Sequence, residues 1–295
     1  MNFNHHLASH FSVHFWGVRG SIATPSPDTM RYGGNTPCIE VRCHGKRLIF
    51  DGGTGLRVLG QYLLAEMPLT AYIFFSHTHW DHIQGFPFFL PAYIKGNTFH
   101  IYGRVAPNGQ TLRERLAEQM RSPFFPVPLG VMGADLYFYD LEVPSRLDLG
   151  DGVTVETGEL NHPGEATGFR VCWGDRAVVY ATDTEHFAEG LDENLVHLAR
   201  NANVLIIDCT YTDEEYWSKT APKIGWGHST WQEAVKLAVA AQVKTLVIFH
   251  HDPSHSDAQL DEIGRQAQAQ FPQAIVAREG MSIEVCADRE CQAIV

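Results

Sequence analysis

The sequence predicts an α/β fold in which two β-sheets pack face to face with helices on their outer sides. Three observations carry this expectation. Short apolar or alternating runs bounded by turn residues recur along the chain, and segments with helical spacing lie between some of them. The early runs follow one another mostly without helices, whereas the later ones alternate with them. That mixture suits two packed sheets better than a doubly wound parallel sheet.

Strands are expected at 11–17 (FSVHFWG), 37–43, 46–51 (KRLIFD), 71–76 (AYIFFS), 98–102, 153–157, 167–173, 176–181 (RAVVYA), 203–208 (NVLIID), 244–249 (KTLVIF) and 273–277. Helical spacing marks 55–66, 109–120, 191–201, 230–242 and 256–270. The helix at 230–242 has a readable start, with Thr230 as its cap and Glu233 completing a capping box. Its amino end places a partial positive charge beside His228 and Ser229. The Pro- and Gly-rich stretch 122–133 and the aromatic stretch 84–93 are irregular; each reads equally as a cleft lining or as a loop packed on the core.

No repeat or low-complexity linker divides the 295 residues, so residues 11–295 read as one domain after a flexible tail at 1–10. His5, His6 and His10 in that tail read as polar, frayed residues rather than ligands. No apolar stretch approaches the roughly 20 residues of a membrane span. The start lacks the apolar run of a secretory signal, which makes the cytoplasm the expected address. The six cysteines form no C-x-x-C pair and read mostly as reduced, buried small hydrophobes. A formal net charge of -12 argues against tracking a long nucleic acid, because that affinity comes from clustered Lys and Arg. A small anionic substrate needs only a few local donors or a pair of metal ions.

The chemistry is concentrated in His77-Thr78-His79-Trp80-Asp81-His82, directly after the apolar run AYIFF. Strand alternation would put His77 and His79 on one side, and the following turn would bring Asp81 and His82 to a second ion. Three more ligand-type residues stand in the same setting after inferred strands: His162 in ELNHPG, Asp183 in ATDT and His250 in FHHDP. Together they make seven ligands, enough for two cations sharing a carboxylate. Nitrogen and carboxylate donors suit Zn²⁺, with Mn²⁺ and Fe²⁺ as alternatives. His251 is pointed away from His250 by alternation, while Asp252 and His255 are placed to support the ligands. Arg19, Asn35 and Thr36 lie in loops that could reach a phosphate or serve structure.

HxHxDH followed by a His, an Asp and a final His at strand ends resembles the metallo-beta-lactamase superfamily, from about Val13 to Glu284. The resemblance implies a four-layer αββα sandwich. In DGGTG at 51–55 it implies that Asp51 supports the zinc histidines. GHST at 227–230 and IIDCTYT at 206–212 resemble the ribonuclease Z group of phosphodiesterases, with Asp208 orienting His228. Trp80 departs from that group's usual small residue, and no long basic arm for gripping tRNA is evident. WGVRGSIATPSP, RYGGNTPC and FHHDPSHSD resemble bacterial members of the group associated with cyclic-nucleotide or other small phosphodiesters.

The expected ligand set is therefore His77, His79 and His162 on one zinc and Asp81, His82 and His250 on the other, with Asp183 bridging. The expected activity is hydrolysis of a small phosphodiester by a metal-held hydroxide, with Asp81, His228 and Asp208 as the catalytic residues and His228 as general acid. The alternatives are a ribonuclease Z-like endonuclease, a carboxylic or sulfuric ester hydrolase, and a metal-bearing sensor without activity. The resembled group is commonly dimeric, so a homodimer is compatible with it.

Overall fold

The computed structural model describes residues 10–286 and 293–294, so His5, His6 and Cys291 lie outside the described residues. Of the expected N-terminal tail only His10 is described; its imidazole sits 3.2 Å from the Glu284 carboxylate and 2.8 Å from Ser12 Oγ. The strands are β1 (Phe11–Gly17), β2 (Cys38–Cys43), β3 (Lys46–Phe50), β4 (Thr70–Phe74), β5 (Thr98–Arg104), β6 (Asp135–Leu141), β7 (Arg146–Asp148) and β8 (Val153–Leu160). They continue with β9 (Ala166–Trp173), β10 (Arg176–Ala181), β11 (Val204–Asp208), β12 (Thr245–Phe249), β13 (Ala274–Val276), β14 (Ser282–Glu284) and β15 (Ala293–Ile294). The helices are α1 (Thr54–Leu63), α2 (Trp80–Ile83), α3 (Leu112–Gln119), α4 (Glu193–Ala199), α5 (Asp213–Tyr216), α6 (Trp231–Ala240) and α7 (Asp257–Gln270).

One sheet has the order β15-β14-β1-β2-β3-β4-β5-β6 and the other β13-β12-β11-β10-β9-β8-β7. Each is mixed: β3 to β6 and β10 to β13 pair in parallel, and the remaining pairs are antiparallel. The period of two explains how the layers form. In β3, Leu48 and Phe50 enter the core between the sheets while Ile49 packs with Leu56, Leu59 and Leu63 of α1. In β11, Val204 and Ile206 face the same central core, whereas Leu205 and Ile207 face α4 and α6. Each such side chain contributes about 1.5–3 kcal/mol relative to exposure. The result is the four-layer αββα sandwich.

Thr230 caps α6 by accepting from the Glu233 amide, but the expected reciprocal bond is replaced: the Glu233 carboxylate takes Lys236 Nζ at 2.6 Å, and the Thr230 hydroxyl donates to Asp213. Strands β6, β7, β14 and β15 were not legible in the pattern. In β6 (DLYFYDL) only Leu141 is buried, so there is little in-and-out contrast to read. The stretch 84–93 divides its roles, with Phe86 and Phe89 buried beside α1 and Gln84 at the surface. Cys38, Cys43, Cys172, Cys209 and Cys286 are unpaired. Among the described residues no helix is long and apolar enough to cross a membrane.

Candidate metal centre

The carboxyl ends of β3, β4, β8, β10, β11 and β12 converge, and the chain turns sharply where it leaves three of them. Asp51, Asp183 and His250 have φ of 60°, 59° and 60°, the left-handed region that costs a non-glycine residue about 1–3 kcal/mol. Each of these turns directs a side chain into the convergence. The HTHWDH run arrives differently from expectation. β4 ends at Phe74, so His77 and His79 leave an extended loop rather than a strand, and α2 carries Asp81 and His82. The imidazoles of His77 and His79 still meet, edge to face, with ring centroids 4.5 Å apart.

Among the described residues three groups of donor atoms could hold a cation; beside that of Asp183, Asp208, His228 and His250, two gather the expected ligands, His77, His79, His162 and Asp183 in one and Asp81, His82, Asp183 and His250 in the other. Asp183 belongs to both through different oxygens. Its Oδ2 lies 3.5 Å from His77 Nε2 and 3.6 Å from His162 Nε2, while its Oδ1 lies 3.2 Å from His82 Nε2 and 3.1 Å from His250 Nε2. Asp81 Oδ2 is 3.2 Å from both His82 Nε2 and His250 Nε2.

The donor chemistry fits cations. His82 Nδ1 lies 2.9 Å from Asp51 Oδ2, an acceptor that keeps the proton on that nitrogen and turns the Nε2 lone pair toward two carboxylates. His82 Nε2 and His77 Nε2 are buried without hydrogen-bond partners. A lone pair facing anions is repulsive unless positive charge lies between them. Without a cation the carboxylates draw a proton to that nitrogen instead. Burial alone would depress the His82 imidazolium, yet Asp183, Asp81 and Asp51 hold its pKa well above the ordinary value. Burial alone would raise Asp183, yet His250, His82 and His77 hold it well below the carboxylate range.

A second ring of bonds orients the donors. Asp51 accepts from Ser76 Oγ and from the Tyr180 hydroxyl at 2.8 Å, and Ser76 Oγ lies 3.0 Å from His77 Nδ1. The Ser21 amide donates to Asp81 Oδ2 at 2.8 Å. His162 Nδ1 donates to the Gly227 carbonyl at 2.7 Å, and His250 Nδ1 lies 3.0 Å from Thr210 Oγ1. Beside the centre, His228 Nδ1 is 2.7 Å from Asp208 Oδ2 and 4.0 Å from Asp183 Oδ2.

His251 points away from the centre: it is fully buried, donates from Nε2 to the Ala277 carbonyl at 2.8 Å, and burial drives its pKa down to about 3. Asp252 and His255 do not support the ligands as expected; their side chains bond to Ser254 and Glu215. Arg19 is buried and donates to the carbonyls of Gly33, Asp252 and His255. Asn35 bonds Glu279, and Thr36 exchanges hydrogen bonds with Thr54. All three serve structure.

Sequence reasoning missed Glu185. Its carboxylate accepts from the Tyr216 hydroxyl at 2.5 Å and from the amides of Gly225 and Gly227, both at 2.7 Å. Its backbone pairs with Asn161, the neighbour of His162. Glu185 thus ties together the loops bearing His162, Asp183 and His228. Gly227 belongs to this device: at φ +85° a Cβ there would lie 2.2 Å from His162 Nδ1. Nearby Gly20 has the same role toward His250, whose ring would meet an added Cβ at 2.5 Å. Only the position of Gly227, directly before His228, could have hinted at this.

Comparison with known proteins agrees with this architecture. Residues 46–251 match the family described as the Beta-lactamase superfamily domain. A ribonuclease Z of Pyrococcus abyssi is 26% identical over 309 residues, spanning 90% of this chain and 94% of that protein. The metallo-beta-lactamase fold protein YhfI from Bacillus subtilis superposes with a TM-score of 0.69 at 19% identity, covering 94% of this chain and 100% of that one. Human tRNase Z, short form, superposes with a TM-score of 0.63 at 21% identity, covering 93% and 99%. The family match, the two-sheet architecture and the paired His and Asp clusters together establish that the chain belongs to the beta-lactamase superfamily, as a metal-binding hydrolase.

Proposed function

We propose that the protein is a binuclear zinc-dependent phosphodiesterase acting on a small phosphodiester, with cyclic nucleotides as the substrate class. The observation that carries the reading is the 2.7 Å contact between His228 Nδ1 and Asp208 Oδ2. In this assignment His77, His79 and His162 would hold one zinc and Asp81, His82 and His250 the other, with Asp183 available to both. Bound zinc supplies Lewis acidity at a phosphoryl oxygen and lowers the pKa of water toward neutrality.

The remaining work belongs to side chains. Asp208 accepts from His228 Nδ1 and also from the amides of Thr184 and Thr210, at 3.2 and 2.9 Å, so its position is held. It leaves His228 Nε2 as the nitrogen that can hand a proton to a departing alkoxide. Burial would lower the imidazole pKa, but the Asp208 carboxylate raises it to about 9, so the proton is present at neutral pH. A phosphodiester gives this dyad a task, because its leaving alkoxide must be protonated.

Ribonuclease Z-like cleavage of RNA is the second reading, favoured by the similarity to the Pyrococcus abyssi enzyme over nearly its whole length. The net charge of -12 weighs against it. The test is zinc analysis combined with parallel assays on 2′,3′- and 3′,5′-cyclic nucleotides, bis(p-nitrophenyl) phosphate, a lactone, a nitrophenyl sulfate and a precursor tRNA. Turnover of cyclic nucleotides with two zinc per chain supports the proposal. Turnover confined to the lactone, the sulfate or the tRNA, or zinc without any turnover, overturns it.

A further inference from the structure

A cleft of about 510 Å³ opens beside the HTHWDH run, lined in part by Thr78 and Trp80, the sequence neighbours of the exposed candidate ligand His79. Trp80 and Phe124 line it while 82% and 78% exposed. Core positions were open to aromatics nearby, since Phe86 and Phe89 are fully buried. Two large aromatic faces are therefore held in solvent at one cleft, of which Trp80 lies between the candidate ligands His79 and Asp81, forgoing the burial that stabilises their neighbours.

The polar lining narrows the occupant. Gln84, Gln110 and Gln119 bring carboxamides, which donate and accept in one plane. Gln119 is turned inward, donating to the Ile83 carbonyl at 2.9 Å with its Oε1 buried, which leaves the exposed Gln84 and Gln110 to face a ligand. Arg115 is committed elsewhere, donating to Thr78 Oγ1 at 2.8 Å and to the Arg104 carbonyl, and Glu118 adds negative charge to the wall. Such a wall suits an uncharged flat group with hydrogen-bonding edges better than a second phosphate.

We propose that this cleft is a nucleobase subsite, in which the base of the substrate stacks on Trp80 and Phe124 while its phosphodiester lies at the metal centre. The inference rests on the phosphodiesterase reading and deepens it. Stacking is sequence-tolerant because every base offers a π-face, and the carboxamides can read its edge. Trp80, which departs from the ribonuclease Z pattern, is then a specificity residue.

The test compares adenosine 2′,3′-cyclic phosphate with 1-methoxyribose 2′,3′-cyclic phosphate, the same ester without its base, in the zinc-loaded wild type, Phe124→Ala and Trp80→Ala. Binding of 5′-AMP by calorimetry and zinc content are measured alongside. The wild type is expected to prefer the base-bearing ester through KM. Each variant should raise that KM about tenfold and weaken AMP binding about tenfold, the scale of one base–aromatic stack, with kcat and zinc content little changed. Equal effects on both esters, or none on either, overturn the subsite. AMP binding that weakens in Phe124→Ala, in a protein that hydrolyses no phosphodiester, upholds the subsite and sinks the phosphodiesterase reading instead. A Phe124→Ala defect seen only on precursor tRNA assigns the base to an RNA end and overturns the small-molecule assignment.

Discussion

His228 Nδ1 lies 2.7 Å from Asp208 Oδ2, a contact made between a loop ahead of α6 and the last residue of β11. In the proposed function its consequence is a division of labour, with this pair kept for proton transfer rather than for holding zinc. Replacing His228 with Ala should lower kcat by roughly 10²- to 10⁴-fold while zinc content stays at the wild-type level. The loss should shrink with a nitrophenolate leaving group, which needs little protonation. Loss of zinc in this variant would contradict the assignment.

The pH profile gives a directional check. A raised imidazole pKa means that the protonated form is present below it and lost as pH rises through it, so His228, as the proposed acid, should set an alkaline limb. Asp208→Asn removes the carboxylate that raises the pKa. The limb of kcat against pH should therefore move to lower pH, and an unmoved limb would exclude His228 as the acid.

Metal removal tests the crowding of carboxylates at the centre. A chelator should lower Tm, and zinc should restore it, because a ligand bound only by the folded state stabilises that state. Asp183→Ala, which removes the oxygens offered to both groups, should lose bound zinc and show little response to the chelator. A full wild-type response in that variant would place the metal elsewhere.

Glu185→Gln tests the loop clamp. An amide cannot accept at both positions, so one of the Tyr216, Gly225 and Gly227 bonds must fail. Zinc affinity or activity should fall about 10- to 100-fold, the scale for groups that orient ligands, and Glu185→Asp should recover part of it. Wild-type zinc affinity together with wild-type kcat would show that the clamp does not reach the centre.

Acid stability has a separate handle in Glu215. Burial would raise its pKa, but the bond from His255, 2.8 Å long, and the Thr212 amide bring it down to about 2. A folded-state pKa below the unfolded value, about 4.3, contributes stability above that value and loses it as pH falls toward 2. The difference in urea midpoint between wild type and Glu215→Gln should be largest near neutrality and vanish across that window. A difference that does not change with pH would refute the linkage.

Much of this was legible because it is local. Continuous apolar runs such as NVLIID and KTLVIF announce strands packed on both faces, and period two then decides which side chains meet each layer. Four ligand-type residues within HTHWDH announce a metal site, because such side chains are costly to bury without a cation. Their delivery was misread: β4 stops at Phe74, and the ligands come from a loop and the single turn of α2.

What lay outside the sequence's reach was every relation between distant segments. The two-sided sharing of Asp183 depends on a left-handed turn at φ 59°, and no residue pattern specifies which oxygen faces which imidazole. The Glu185 clamp joins loops 24 and 42 residues away in the chain. Arg19, with its exposed-looking charge, is turned inward by carbonyls more than two hundred residues on. By itself the sequence determined the layers and the ligand types, through periodicity and residue chemistry. Tertiary structure alone decided which donors come together, which imidazole pairs with Asp208, and where a cleft opens near them, because those are distances set by packing.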